Sequence, residues 1–206
     1  MWSLSGTLPR DAGLELEDAK QLVRDSVRRH RKDRSERERR EAADAIAVHA
    51  RGLLDGVRCV AAYASRPGEP DTGPLLDVLD EAGLEILLPI LGPGLSRDWA
   101  RYRVGEPLEV RAPGRPPEPS GPGLGERAIA DADLIFAPAL GVDSAGIRLG
   151  QGGGWYDRVL VHARPGVPVF AVIYDDERAT DALPAAPHDR PVDGVLAPSG
   201  VERLSR

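Results

Sequence analysis

The chain has 206 residues, 41% hydrophobic and 29% charged, which suits one globular domain able to bury roughly 70% of its unfolded surface. A single cysteine, Cys59, excludes a disulfide framework and a cysteine-based zinc site, and no apolar stretch approaches membrane-spanning length. The net charge of −6 is uneven, because residues 20–40 hold ten Lys/Arg against four Asp/Glu. That run admits two readings, a nucleic-acid arm or a solvated helix face, and its lack of aromatics favours the second. Only Lys20 and Lys32 of the 27 basic residues are lysine.

Residues 1–13 read as a loose leader, and residues 14–206 as one domain. The leader has neither a basic n-region nor an apolar h-region, so a cytoplasmic protein is expected. Leu22, Val23 and Val27 predict a helix from Leu14 to about Arg31. Ser35 and Glu38 form a capping-box pattern that starts a second helix, ending at Gly56. Val57 to Ala64 reads as a buried strand, followed by a helix capped at Asp71 or Thr72, with Pro74 in its first turn, and a second strand from Leu84 to Ile90. Trp99–Val104 and Leu108–Arg111 are expected to pair as a small hairpin insertion around Gly105–Glu106, and 112–125 is a Pro/Gly loop. Asp133–Pro138, Val167–Tyr174 and Asp193–Ala197 complete the strands, with a helix from about Gly153 to His162 between the first two. Short apolar strands alternating with helices predict an α/β fold, a mostly parallel sheet of about five strands with helices on both faces.

In such sheets ligands bind at the carboxyl ends of the strands, which directs attention to residues 141–158, GVDSAGIRLGQGGGWYDR. Gly150, Gly152, Gly153 and Gly154 allow close backbone approach, so the segment is either a phosphate cradle or merely a tight turn. Neither the P-loop pattern nor the dinucleotide fingerprint is present. Arg148 adds a fixed charge, and Asp157 either faces a phosphate-bound magnesium or complements a helix dipole. Lys20, Arg24 and Arg28 share a helix face as an anion clamp or a plain basic stripe. Glu69 follows the first strand, and His188–Asp189 precedes the last. No serine has a nucleophile-elbow context.

The segment DLIFAPALGVDSAGIRLGQGGGWYDR (133–158) resembles the signature of the 5-formyltetrahydrofolate cyclo-ligase family. Lys20-x-x-x-Arg24, EPDT (69–72), PEP (117–119) and HD (188–189) follow in the same order, from about Lys20 to Ala197. The resemblance implies an ATP- and Mg2+-dependent ligase that closes 5-formyltetrahydrofolate to 5,10-methenyltetrahydrofolate, releasing ADP and phosphate. It implies small-molecule substrates only, with no nucleic acid or membrane partner, and a monomer. Carried over by position, Lys20, Arg24, Arg148, Gly150, Gly152, Gly153, Gly154 and Tyr156 would bind ATP. Ala64, Glu69, Gln151 and Trp155 would bind the folate, and Asp157 and Asp189 the metal. The alternative is a non-catalytic folate- or nucleotide-binding homologue. Trp155 and Gln151 depart from the family pattern, as does the absence of an acidic residue upstream of His188.

Overall fold

The computed structural model describes residues 2–8, 14–92, 94, 96–111, 114–186 and 189–204. Its centre is a seven-stranded sheet in the order β11-β10-β9-β6-β1-β2-β3. The strands are β1 (Cys59–Ala61), β2 (Glu85–Leu91), β3 (Arg97–Tyr102), β6 (Leu134–Pro138), β9 (Val169–Val172), β10 (Gly194–Ala197) and β11 (Gly200–Arg203). Five of them, β10, β9, β6, β1 and β2, run parallel, and antiparallel β11 and β3 close the two edges. The expected count of about five is therefore the parallel core. The two edge strands raise the total.

The parallel strands are apolar on both sides because both faces are covered. One face packs Val60, Ile86, Leu88, Phe136 and Phe170 against Ile46 and Ala50 of α2 (Glu36–Ala50) and Leu75 and Leu79 of α3 (Gly73–Glu81). The other packs Ala61, Leu87, Ile135 and Ala171 against Tyr156 and Val159 of α4 (Trp155–Val159) and Ile129. Cys59 lies in this second layer, where burial pushes its thiol up to about 12. α1 (Leu16–Asp33) contributes Val23 and Val27 to a third cluster with Leu140, Leu149 and Leu183.

The Ser35–Glu38 capping box is formed: Glu38 N donates to Ser35 Oγ at 3.2 Å, and Ser35 N donates to Glu38 Oε2 at 2.7 Å. Ser35→Ala is expected to lower stability by about 1 kcal/mol, read as a fall of about 2–4 °C in thermal melts.

Two expectations are corrected. β3 does not form a local hairpin with 108–111; it pairs with β2 over six positions, from Ile86↔Tyr102 to Leu91↔Arg97. This longer ladder places Trp99 fully inside the core, which a surface hairpin would not do. Leu108–Glu109 (β4) pairs instead with Glu118–Pro119 (β5), across the Pro/Gly loop. The helix read over 153–162 is shorter, with α4 ending at Val159 and a 3-10 turn over Leu160–His162. Of the expected leader 1–13, residues 1 and 9–13 lie outside the described residues; Leu4–Thr7 forms a 3-10 turn whose Leu4 is fully buried. Trp2 stacks on His30 with ring centroids 4.1 Å apart. No helix among the described residues is long and apolar enough to cross a membrane.

Candidate functional site

A cleft of about 360 Å³ opens where the loops beyond β1, β2 and β6 diverge, at the carboxyl ends of parallel strands. Its wall includes Lys20, Arg24, Glu69, Arg148, the run from Leu149 to Asp157, and Asp189. Of the described residues singled out from sequence, Arg28 is not in the lining and reaches it only through Gln151, nor is Ala64. Ala64 is buried in the apolar layer under α2 and α3, and its neighbour Tyr63 lines the cleft instead. His188 lies outside the described residues.

The basic stripe on α1 is neither a solvated face nor an extended arm. Lys20, Arg24 and Arg31 are 7%, 5% and 3% exposed. They fall on the same buried stripe as Val23 and Val27, so this helix docks through cations as well as apolar groups. Each reaches a partner more than 100 residues away in sequence. Lys20 Nζ pairs with Asp189 Oδ2 at 2.5 Å, and Arg24 Nε donates to Gly150 O at 3.0 Å. Arg28 Nη2 donates to the Gln151 carbonyl and side-chain oxygens, both at 3.1 Å. Arg31 clamps Glu177, with Nε on Oε1 at 2.6 Å and Nη2 on Oε2 at 2.7 Å. Burial pushes the Glu177 carboxyl above its usual range, while Arg31 and the Tyr174 N–H pull it down.

α1 thus holds the glycine turn in place from outside. Within the turn, Gly152 and Gly154 have φ of +106° and +58°, values that L side chains rarely adopt. β7 (Gly141–Val142) and β8 (Arg148–Leu149) form the ribbon that delivers Arg148 to the turn. Asp143, 1% exposed, shapes the loop between them by accepting from the N–H groups of Ala145 and Ile147. Because α4 spans only five residues, its dipole is small, and positive charge at this end of the cleft comes mainly from Lys20, Arg24 and Arg148.

Arg148 Nη2 donates to Asp157 Oδ1 at 2.7 Å, and the same oxygen accepts from Arg190 N at 3.3 Å. The segment carrying Asp189 therefore lies beside Asp157, and both carboxylates line the cleft. Asp189 Oδ2 also accepts from Ala186 N at 2.7 Å. Among the described residues no group of three or more His, Cys, Asp or Glu is arranged to hold a metal. Two carboxylates flanked by cations suit an ion that takes its remaining ligands from water and phosphate, which is how Mg2+ is commonly held.

Glu69 and Gln151, 82 positions apart, meet in the cleft, with Gln151 Nε2 donating to Glu69 Oε1 at 3.0 Å. Arg66 Nη2 reaches the same oxygen at 3.0 Å and Arg66 N donates to Oε2 at 3.0 Å, so Glu69, 8% exposed, is held in one orientation. Trp155 packs edge-on against Trp99, with centroids 5.1 Å apart, and against Tyr156 at 5.0 Å. Arg66, Arg115, Glu118 and Tyr63 also line the cleft and carry no role in the sequence reading. PEP (117–119) and EPDT (69–72) mark Glu118 and Glu69, but nothing in the sequence distinguishes Tyr63 from its strand neighbours.

Residues 16–198 match the model of the 5-formyltetrahydrofolate cyclo-ligase family. The chain is 38% identical over 185 residues to a 5-formyltetrahydrofolate cyclo-ligase of Mycolicibacterium smegmatis, covering 87% of this chain and 94% of that protein. Among solved structures it is similar to a 5,10-methenyltetrahydrofolate synthetase of Aquifex aeolicus, with a TM-score of 0.76, 29% identity, and coverage of 91% and 93%. A synthetase of the same name from Mycoplasma pneumoniae, 16% identical, shares the fold with a TM-score of 0.68, covering 87% of this chain and 98% of that one. With a family match spanning nearly the whole domain, and the family's signature wrapped around the one cleft described above, the chain belongs to the 5-formyltetrahydrofolate cyclo-ligase family.

Proposed function

We propose that this protein uses ATP to close 5-formyltetrahydrofolate to 5,10-methenyltetrahydrofolate, with release of ADP and phosphate. The observation that carries the reading is the division of one cleft into two chemistries. Lys20, Arg24, Arg148 and the glycine turn offer cations and backbone N–H groups to phosphates. Glu69 and Gln151, hydrogen-bonded to each other, offer paired donors and acceptors to a fused ring carrying amide and amino groups.

In this reading the formyl oxygen attacks the γ-phosphorus and ADP departs. N10 then attacks the activated formyl carbon, loses its proton, and phosphate leaves. Phosphoryl transfer asks chiefly for positioning and charge neutralisation, which matches a cleft lined by cations and offering no serine or cysteine nucleophile among the described residues. Asp157 and Asp189 would hold Mg2+. Bound there, the ion would supply neutralisation of phosphate charge. Lys20 and Arg148 would shift from these carboxylates toward the phosphates, and Tyr156 would line the nucleotide. Gln151 and Trp155 would flank the folate.

The test is turnover by the purified chain with Mg-ATP and 5-formyltetrahydrofolate, followed by the near-ultraviolet absorbance of the methenyl product. Product formation that requires both ATP and magnesium is expected. Tight folate binding without turnover in the folded protein would favour a non-catalytic binder.

A further inference from the structure

One polar group in the cleft wall has no partner among the described residues and no part in the chemistry above. Tyr63 lies two positions beyond β1 and is 3% exposed, yet its hydroxyl is buried without a hydrogen bond. Buried hydroxyls are ordinarily paired, since leaving one unmade forfeits its hydration without return. Its position is not accidental slack. Thr72 Oγ1 donates to the Tyr63 carbonyl at 2.7 Å and accepts from Ser65 N at 2.9 Å, locking the backbone where strand becomes loop. The residue packs in the same apolar layer as Leu75, Phe136 and Phe170 and also contributes to the cleft lining.

The surroundings select the ligand. Burial, then the charge of Glu69, pushes the phenol well above its ordinary value, so the group remains a neutral O–H. Nearby stand Glu69, the Arg31–Glu177 pair and Tyr156, whose own hydroxyl is also buried and unpaired among the described residues. Glu69 is paired with Arg66 and Glu177 with Arg31, so these cations are already matched by carboxylates, and a neutral carbonyl oxygen fits this neighbourhood better than a phosphate. We infer that the Tyr63 hydroxyl is a folate-binding contact that donates to a carbonyl oxygen of the bound reduced pterin, on the Glu69 side of the cleft. This rests on the folate reading of the site and adds a specificity-determining residue to it.

Tyr63→Phe keeps the packed ring and removes only the hydroxyl. A lost neutral hydrogen bond predicts KM and Kd for 5-formyltetrahydrofolate raised about five- to tenfold, with kcat and the KM for ATP within about twofold. The ligand-free variant should melt at the same temperature or higher, because an unpaired buried hydroxyl is removed. Unchanged folate KM and Kd would overturn the inference, as would a KM increase confined to ATP. A lower melting temperature with unchanged folate Kd would also overturn it, by showing a bond to trapped water. Normal wild-type turnover with an unaffected variant defeats this contact and leaves the cyclo-ligase reading standing. Wild-type protein that binds folate more tightly than the variant but never turns over defeats that reading and keeps the contact, and absence of folate binding defeats both.

Discussion

Glu177→Ala is expected to destabilise the protein by about 3–5 kcal/mol, the loss typical when one member of a buried ion pair is removed. Glu177 is fully buried and Arg31 is 3% exposed, so deleting the carboxylate strands a guanidinium that cannot shed its proton. Among the described residues, only the Ala139 carbonyl, 2.7 Å from Arg31 Nη2, would still accept from it. Against a typical domain stability of about 5–15 kcal/mol this is a large share, and thermal melts should fall by roughly 6–20 °C. The pair also ties α1 to the residues following β9, because Glu177 Oε2 accepts from Tyr174 N at 3.0 Å. Loosening it should therefore weaken ATP binding through Lys20 and Arg24 as well. Replacing both partners, Arg31→Met with Glu177→Leu, should be less destabilising than Glu177→Ala alone, since no charge is left buried. Denaturant unfolding followed by circular dichroism decides the matter. A loss below about 1 kcal/mol would place the pair in the class of weak surface bridges.

The second large effect is expected at Asp157. Asp157→Asn should lower magnesium-dependent kcat by roughly 10²–10³, a loss of the size seen when one electrostatic contact to a transition state is removed. Asparagine keeps an oxygen in reach of Arg148 Nη2, now 2.7 Å from Asp157 Oδ1, so the fold should survive with a melting temperature close to that of wild type. That combination separates two roles. If Asp157 serves only to anchor Arg148, the isosteric variant should keep activity within a few-fold and show no altered magnesium requirement. If it holds the ion, higher magnesium should partly restore turnover.

How far the sequence carries this account depends on the range of the interactions involved. Local signals suffice for some elements: the Ser35–Glu38 box forms, Pro74 sits in the first turn of α3, and the apolar runs at 84–90 and 133–138 supply β2 and β6. The cleft itself follows from the strand-end rule once the parallel order is assumed. What escaped depends on distant partners. Lys20, Arg24 and Arg31 look like a surface stripe because Asp189, Gly150 and Glu177 are 126–169 positions away. β3 is the exception, since it pairs with β2 across the short connection 92–96 rather than with the equally near segment at 108–109, and nothing local to Trp99 chooses between the two neighbours. β11, whose residues Val201, Glu202 and Arg203 are exposed, lacks the apolar run that marks the other strands. Tyr63 and Ala64 are adjacent on a strand end, and only the packing beneath α3 decides which of them reaches the cleft.

Lys20 joins these strands of the argument. In a chain with 25 arginines and two lysines, a lysine lies in the cleft against Asp189, where a compact ammonium fits beside a carboxylate and, in the proposed reaction, beside phosphate.

The most direct measurement is a single assay of methenyl product and ADP formed by the purified chain from 5-formyltetrahydrofolate and ATP, with and without magnesium. The account predicts the two products in equal amounts, with none when ATP or magnesium is omitted. Folded protein that binds both substrates and forms neither product would contradict it.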